Sequence, residues 1–173
     1  MKRKIYYEEI STPLGAMTAG VTPNGLALFE FPVENRIAEH KKKLAENYDH
    51  VSEPFSDVLN SVKLQIAEYF DGERTSFDLP LDLVGSDFQR NVWQSLLTVP
   101  YGKTMSYLEL AALVGNKDSV RAVAQANGQN RIPIIVPCHR IIGSDGKLTG
   151  YSGGISRKET LLSLERGQNR LIF

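Results

Sequence analysis

The run Ile134-Ile135-Val136-Pro137-Cys138-His139-Arg140-Ile141-Ile142 constrains this chain more than any other stretch. It is apolar, then abruptly polar and reactive, then apolar again. Apolar flanks of this kind belong inside a fold, so they carry the polar centre inward with them. The run reads as a buried element that brings a thiol to a defined spot beside an imidazole and a guanidinium. Neighbours that are positive or accept protons favour the thiolate, which is the nucleophile. Cys138 is the one cysteine of the chain, and a lone Cys in this setting is a candidate catalytic group. The competing reading is a small core hydrophobe, the commonest fate of a free Cys. On a regular strand Cys138 and His139 would point to opposite faces. A bend after Pro137, or a bridging water, is needed to make them work together.

The 173 residues suffice for one large domain or two small ones, and a hydrophobic share of 42% with 23% charged residues is that of a globular protein. One Cys makes no internal disulfide and no Cys-rich zinc framework. The N-terminus is basic without an apolar core, so it is no signal peptide. No stretch approaches the length of a transmembrane helix. A cytoplasmic, reducing location is expected. The formal net charge is zero, yet the halves differ. Residues 1–85 hold 9 Lys+Arg against 14 Asp+Glu, a net of −5, and residues 86–173 hold 11 against 6, a net of +5. The asymmetry suggests that the second half faces a polyanion.

The first half, residues 1–85, reads as a small α/β module with an antiparallel sheet plus helices. Strand-like segments surround Ile5-Tyr6-Tyr7, Ala16 to Val21 and Leu26 to Phe31, and Thr22-Pro23-Asn24-Gly25 is a hairpin signal. Ile37 to Asn47 reads as an exposed helix. Val58, Leu59, Val62, Ile66, Tyr69 and Phe70 fall at helical spacing, and Asp71-Gly72 ends that helix.

The second half, 86–173, reads as a mostly helical domain. Ser86 and Gln89 have capping-box spacing. A helix from Ser106 to Val114, a turn at Gly115, and a short helix to about Asn127 form a helix-turn-helix. Asp118 or Ser119 is expected to cap that short helix, and the Ser156 to Glu159 segment to cap the last one. The alanines of Ser119 to Asn127 would let the helix approach a nucleic-acid backbone, with Arg121 projecting from its first turn; the competing reading is a plain helical hairpin whose alanines pack in the core. Glu165, on the last helix, is a candidate to orient an imidazole, the competing reading being a solvated helix residue. Asn130 can hold two loops together through its amide. The loop Gly150-Tyr151-Ser152-Gly153-Gly154 offers amide donors and a ring for a planar base.

Together these residues resemble the O6-alkylguanine-DNA alkyltransferases, or methylated-DNA–protein-cysteine methyltransferases. The resemblance rests on Pro137-Cys138-His139-Arg140 preceded by Ile134-Ile135-Val136. It extends through Phe88-Gln89, Val92-Trp93, Pro100-Tyr101-Gly102, Ser106-Tyr107, Arg121-Ala122-Val123, Asn130 and the Gly150 to Gly154 loop. It covers the whole second half and, more loosely, the first. It implies a repair protein that moves the alkyl group of O6-alkylguanine in double-stranded DNA irreversibly onto its own Cys138, once per molecule. O4-alkylthymine is a second candidate substrate. The resemblance implies His139 as base through a water, Glu165 as its orienter and Asn130 as brace of the loop. It further implies Tyr107 and Arg121 in extruding the nucleotide, with Tyr151 and the Ser152 amide in the pocket. The Cys138 and Ile141 carbonyls would receive the exocyclic amine, and Arg140 is expected among the DNA-binding residues. No cofactor and no metal are implied, and the protein would act as a monomer. Two residues depart from the family pattern: Arg131 stands where Pro is common and Ala124 where Gly is common.

Two other readings compete. A lesion sensor that flips bases without repair would have lost the acceptor, and Cys138 speaks against it. A thiol hydrolase using Cys138 and His139 would turn over many times.

Overall fold

The computed structural model describes residues 1–167, which divide into two compact units: Met1–Val84, and the residues from Gly85 onward. Among them no helix is long and apolar enough to cross a membrane.

The first unit is built on strands β1 (Arg3–Thr12), β2 (Gly15–Thr22), β3 (Gly25–Glu30) and β4 (Tyr48–His50), in the spatial order β3-β2-β1-β4. The first three pair antiparallel through tight turns. The sheet is mixed rather than purely antiparallel, because helix α1 (Glu34–Leu44) carries the chain across and lays β4 parallel to β1. A parallel neighbour needs such a crossover. That charge-rich helix begins earlier than Ile37, and it is not wholly exposed: His40 and Leu44 are buried. Leu44 packs with Ile5, Ala27, Leu28 and Tyr48 in the core.

The β2–β3 hairpin turns at Thr22 to Gly25, as its residues dictate. Gly25 has φ +137°, and a Cβ there would lie 2.3 Å from the Pro80 carbonyl oxygen. The close approach lets Leu26 pair on both sides with the extended segment, N–H to Pro80 O at 2.9 Å and O to Asp82 N–H at 2.9 Å. Helix α2 (Ser56–Phe70) buries Leu59, Val62, Ile66, Tyr69 and Phe70, and Gly72 follows its end at φ +77°.

The second unit starts with α3 (Asp87–Leu96), capped reciprocally by Ser86 and Gln89. Helix α4 (Tyr107–Val114) has a second capping box, Ser106 with Glu109, and ends on Gly115 in the left-handed region. Each box satisfies two amide groups that a helix start leaves open. Between α4 and α5 (Val120–Gly128) lies a 3-10 turn, Lys117–Ser119. It is Asn116, through its side-chain oxygen on Asp118 N–H at 2.9 Å, that caps this turn. Neither expected side-chain cap forms on α5, where the 3-10 turn already occupies Asp118 and Ser119. The last helix, α6 (Ile155–Glu165), starts after Gly154 at φ +93°, so Ser156 lies inside it and caps nothing.

A feature absent from the sequence reading ties this unit together. Strands β5 (Met105–Ser106) and β6 (Ile141–Ile142) pair in parallel. The pairing sets the start of α4 beside the exit of the cysteine run.

Candidate active site

The cysteine run is not a strand before its last two residues, Ile141–Ile142, which form β6. Its residues turn tightly, with Val136 N–H on Ile132 O at 2.9 Å. Asn130 closes the loop from inside: its amide donates to Val136 O at 2.8 Å, and its carbonyl accepts from Ile132 N–H at 2.9 Å. Ile134, fully buried, sits at φ +75°. A β-branched residue in that region is strained, by about 1–3 kcal/mol, and persists only where its surroundings force it. Pro137 then starts a 3-10 turn, Cys138–Arg140. The turn breaks the strand geometry that would send the Cys138 and His139 side chains to opposite faces.

The three polar side chains of the run are all buried, with Cys138 2%, His139 0% and Arg140 7% exposed. His139 Nε2 lies 2.7 Å from Glu165 Oε1. Arg140 grips the same carboxylate with Nε on Oε2 at 2.9 Å and a terminal nitrogen on Oε1 at 2.9 Å, and its other one donates to Val99 O at 2.7 Å. Gly102 N–H adds a longer bond to Oε2, 3.3 Å. Gly102 has φ +72°, and a Cβ there would come within 3.0 Å of the Glu165 carbonyl oxygen.

Burial alone would raise the Glu165 pKa, but His139 and Arg140 outweigh it and hold the carboxyl well below the usual carboxylate range. His139 is pushed down: burial dominates, the Glu165 hydrogen bond opposes it, and the Arg140 and Lys158 charges reinforce it. The imidazole is therefore neutral at physiological pH. An ionised carboxylate on Nε2 fixes the proton there. Nδ1 is then the basic atom. It is buried with no hydrogen-bond partner among the described residues.

Arg140 was expected among DNA contacts. It faces inward instead, because its guanidinium is needed as the counter-charge of a buried carboxylate.

Lys158 was missed by sequence reasoning. It is fully buried in α6, donates to Ile141 O, and reaches Thr149 O at 3.4 Å. Its ammonium lies 5.9 Å from the ring centroids of both Tyr107 and Tyr151. Burial lowers its pKa, and the charge of Cys138 opposes that shift. A signal existed: Lys158, Leu161, Leu162 and Glu165 share one face of α6 at positions i, i+3, i+4 and i+7, all buried. The Ile141 carbonyl accepts from Lys158 and the Cys138 carbonyl accepts from Ile141 N–H, and each keeps a second lone pair.

Tyr107, at the first position of α4, donates its hydroxyl to Thr149 O at 3.1 Å and Gly150 O at 3.3 Å. Burial raises its pKa, and the Cys138 charge adds to that. Tyr107, Arg121, Ala124, Gly150, Tyr151 and Ser152 line an open cavity of about 630 Å³. So α4, α5 and the glycine loop, apart in sequence, make one concave surface. Cys138 is not on its wall. Tyr107 is the shared element, a lining residue that also feels the charge of the thiol.

Two family models match the chain: 6-O-methylguanine DNA methyltransferase, ribonuclease-like domain, over residues 5–83, and the DNA binding domain of the same name over 87–167. A methylated-DNA–protein-cysteine methyltransferase of Mycobacterium bovis is 44% identical over 95% of this chain and 94% of its own length. One from Mycolicibacterium paratuberculosis is 60% identical over 59% of this chain and 62% of its own length. Among solved structures, that of Mycobacterium tuberculosis OGT in complex with DNA superposes with a TM-score of 0.80, 42% identity, and 94% coverage of both chains.

Proposed function

The chain belongs to the 6-O-methylguanine DNA methyltransferase family, and we infer that Cys138 is the sulfur on which the family's reaction ends in this protein. The protein binds DNA and repairs it by transfer of an alkyl group from O6-methylguanine to a cysteine. One observation carries the assignment of the atom: Cys138 is the chain's single cysteine and is next in sequence to His139, whose imidazole is held by an ionised carboxylate.

An alkyl group on O6 is out of reach within a stacked duplex, so the nucleotide is turned out of the helix. The cavity beside α5 receives it, with Arg121 on the rim left facing the duplex. The base then passes Tyr107 and the 149–152 segment to meet the sulfur. Tyr107 holds that segment through two hydrogen bonds in the free protein, so its hydroxyl becomes a donor to the purine as the segment yields.

The proton balance follows from the tautomer. His139 Nδ1 takes the thiol proton through a water, and Glu165 stabilises the resulting imidazolium without taking a proton. The thiolate forms a bond to the alkyl carbon as the carbon–O6 bond breaks. The electron pair goes to guanine, where the Ser152 amide and the Tyr107 hydroxyl stabilise the developing charge. The thioether product has no route back to the thiol, so each molecule reacts once.

In this reading the protein acts as a monomer on double-stranded DNA carrying O6-alkylguanine, where thiols stay reduced. Residues 1–85 serve structure and residues 86–173 carry the chemistry.

Intact mass before and after incubation with an O6-methylguanine oligonucleotide, followed by peptide mapping, tests it. One added methyl group on Cys138, and no more than one equivalent, is expected. Cys138→Ala retains DNA binding and gains nothing. An unchanged mass with excess lesion DNA defeats the reading, and many turnovers per molecule would revive a thiol hydrolase.

A further inference from the structure

Arg131 lies between Asn130 and Ile132, whose N–H the Asn130 side chain holds, yet its own side chain leaves the loop. It is only 8% exposed, and its guanidinium carbon stands 5.6 Å from the centroid of the Trp93 ring. A buried charge needs compensation, and the face of Trp is the best aromatic partner for a cation. The ring is itself fixed. Trp93 is 1% exposed, and its Nε1 donates to Ala126 O at 2.9 Å, in α5. Its edge presses on Gly85, where a Cβ would fall 2.6 Å from the ring. Trp93 thus links α3 to α5, and Arg131 attaches the acceptor loop to that link.

The loop has something to be held against. Ile134, three residues along, stays at φ +75° although it is β-branched. Asn130 ties the loop to itself, which shapes it without anchoring it.

We propose that Arg131, held over the Trp93 ring, is a positioning residue for alkyl transfer: it clamps the loop that carries Cys138 to α3 and α5, and so keeps the strained loop in register with the DNA-reading helix. The clamp does through a cation and a ring what a rigid backbone would do at this place. The inference rests on Cys138 being the acceptor.

Single-turnover transfer from an O6-methylguanine duplex, measured across DNA concentrations, tests it by separating the limiting rate from affinity. Arg131→Met lowers the limiting rate about tenfold, as a small misplacement of a nucleophile does. Its DNA affinity stays within about twofold, because the buried guanidinium is turned toward Trp93. Arg131→Lys, which keeps a cation over the ring, recovers most of the rate. A limiting rate unchanged in Arg131→Met overturns the clamp, as does a loss confined to affinity or an equal loss in both variants. If Arg131→Met does not fold, amide exchange in Arg131→Gln, which loses the cation, decides: faster exchange over 132–138 with α3 unchanged supports the clamp, and no change overturns it. Failure of the wild type to methylate Cys138 would instead remove the reading beneath it.

Discussion

His139 and Glu165 meet at 2.7 Å in a place that neither exposes to solvent, 26 residues apart in sequence. The same carboxylate is gripped by Arg140 through two nitrogens. The arrangement gives the imidazole one tautomer and a fixed direction, while the arginine lets the carboxylate stay ionised where water cannot help it.

Replacing Glu165 by Gln removes the charge and keeps the size. The transfer rate falls about 10²-fold or more, because the base loses its orienting partner. Stability falls by about 3–5 kcal/mol, since Arg140 is left as an uncompensated buried charge. DNA affinity is unchanged. Rapid-quench transfer and urea unfolding measure the two losses, and wild-type transfer in the variant contradicts the role of Glu165.

Asn130→Ala deletes both hydrogen bonds that close the acceptor loop. It costs about 1–3 kcal/mol in stability and slows transfer further than the stability loss explains. Asn130→Asp keeps the acceptor for Ile132 N–H and loses the donor to Val136 O. It therefore separates the two bonds, and it should fall between wild type and Ala in rate.

Lys158→Met keeps the length of a buried side chain and removes a cation that senses the Cys138 charge. The limiting rate drops about tenfold, and the pH–rate profile moves to higher pH, because the thiolate loses a favourable charge nearby. A profile that stays in place would show that Lys158 only holds the Ile141 and Thr149 carbonyls.

Acid should weaken the fold in two steps. His139 has its folded pKa below the ordinary 6.5, so the unfolded chain takes the proton first and stability declines as pH falls below that value. Glu165 is likewise held below the ordinary 4.5, so a second decline sets in beneath it. Urea midpoints between pH values of about 8 and 2 follow both. His139→Gln flattens the upper step, and an unchanged midpoint from neutral pH to about 5 in the wild type excludes it.

What the sequence determined by itself is what near neighbours decide. Ser86 with Gln89 and Ser106 with Glu109 cap their helices three residues apart. Thr22 to Gly25 turns because of its own residues, and the Pro137-Cys138-His139-Arg140 run announces its chemistry wherever it is placed. Where two local rules competed, the reading erred: the 3-10 turn took Asp118 and Ser119 from the α5 cap, and Gly154 started α6 ahead of Ser156. The tertiary structure alone decided which side chain meets which across long separations. It turned Arg140 inward onto Glu165 and Val99, brought Lys158 under the rings of Tyr107 and Tyr151, laid β5 against β6, and held Arg131 over the Trp93 ring. The physical reason is burial. A helix face can mark a charged side chain as inward, but its partner is chosen by whichever groups the packed core leaves within reach.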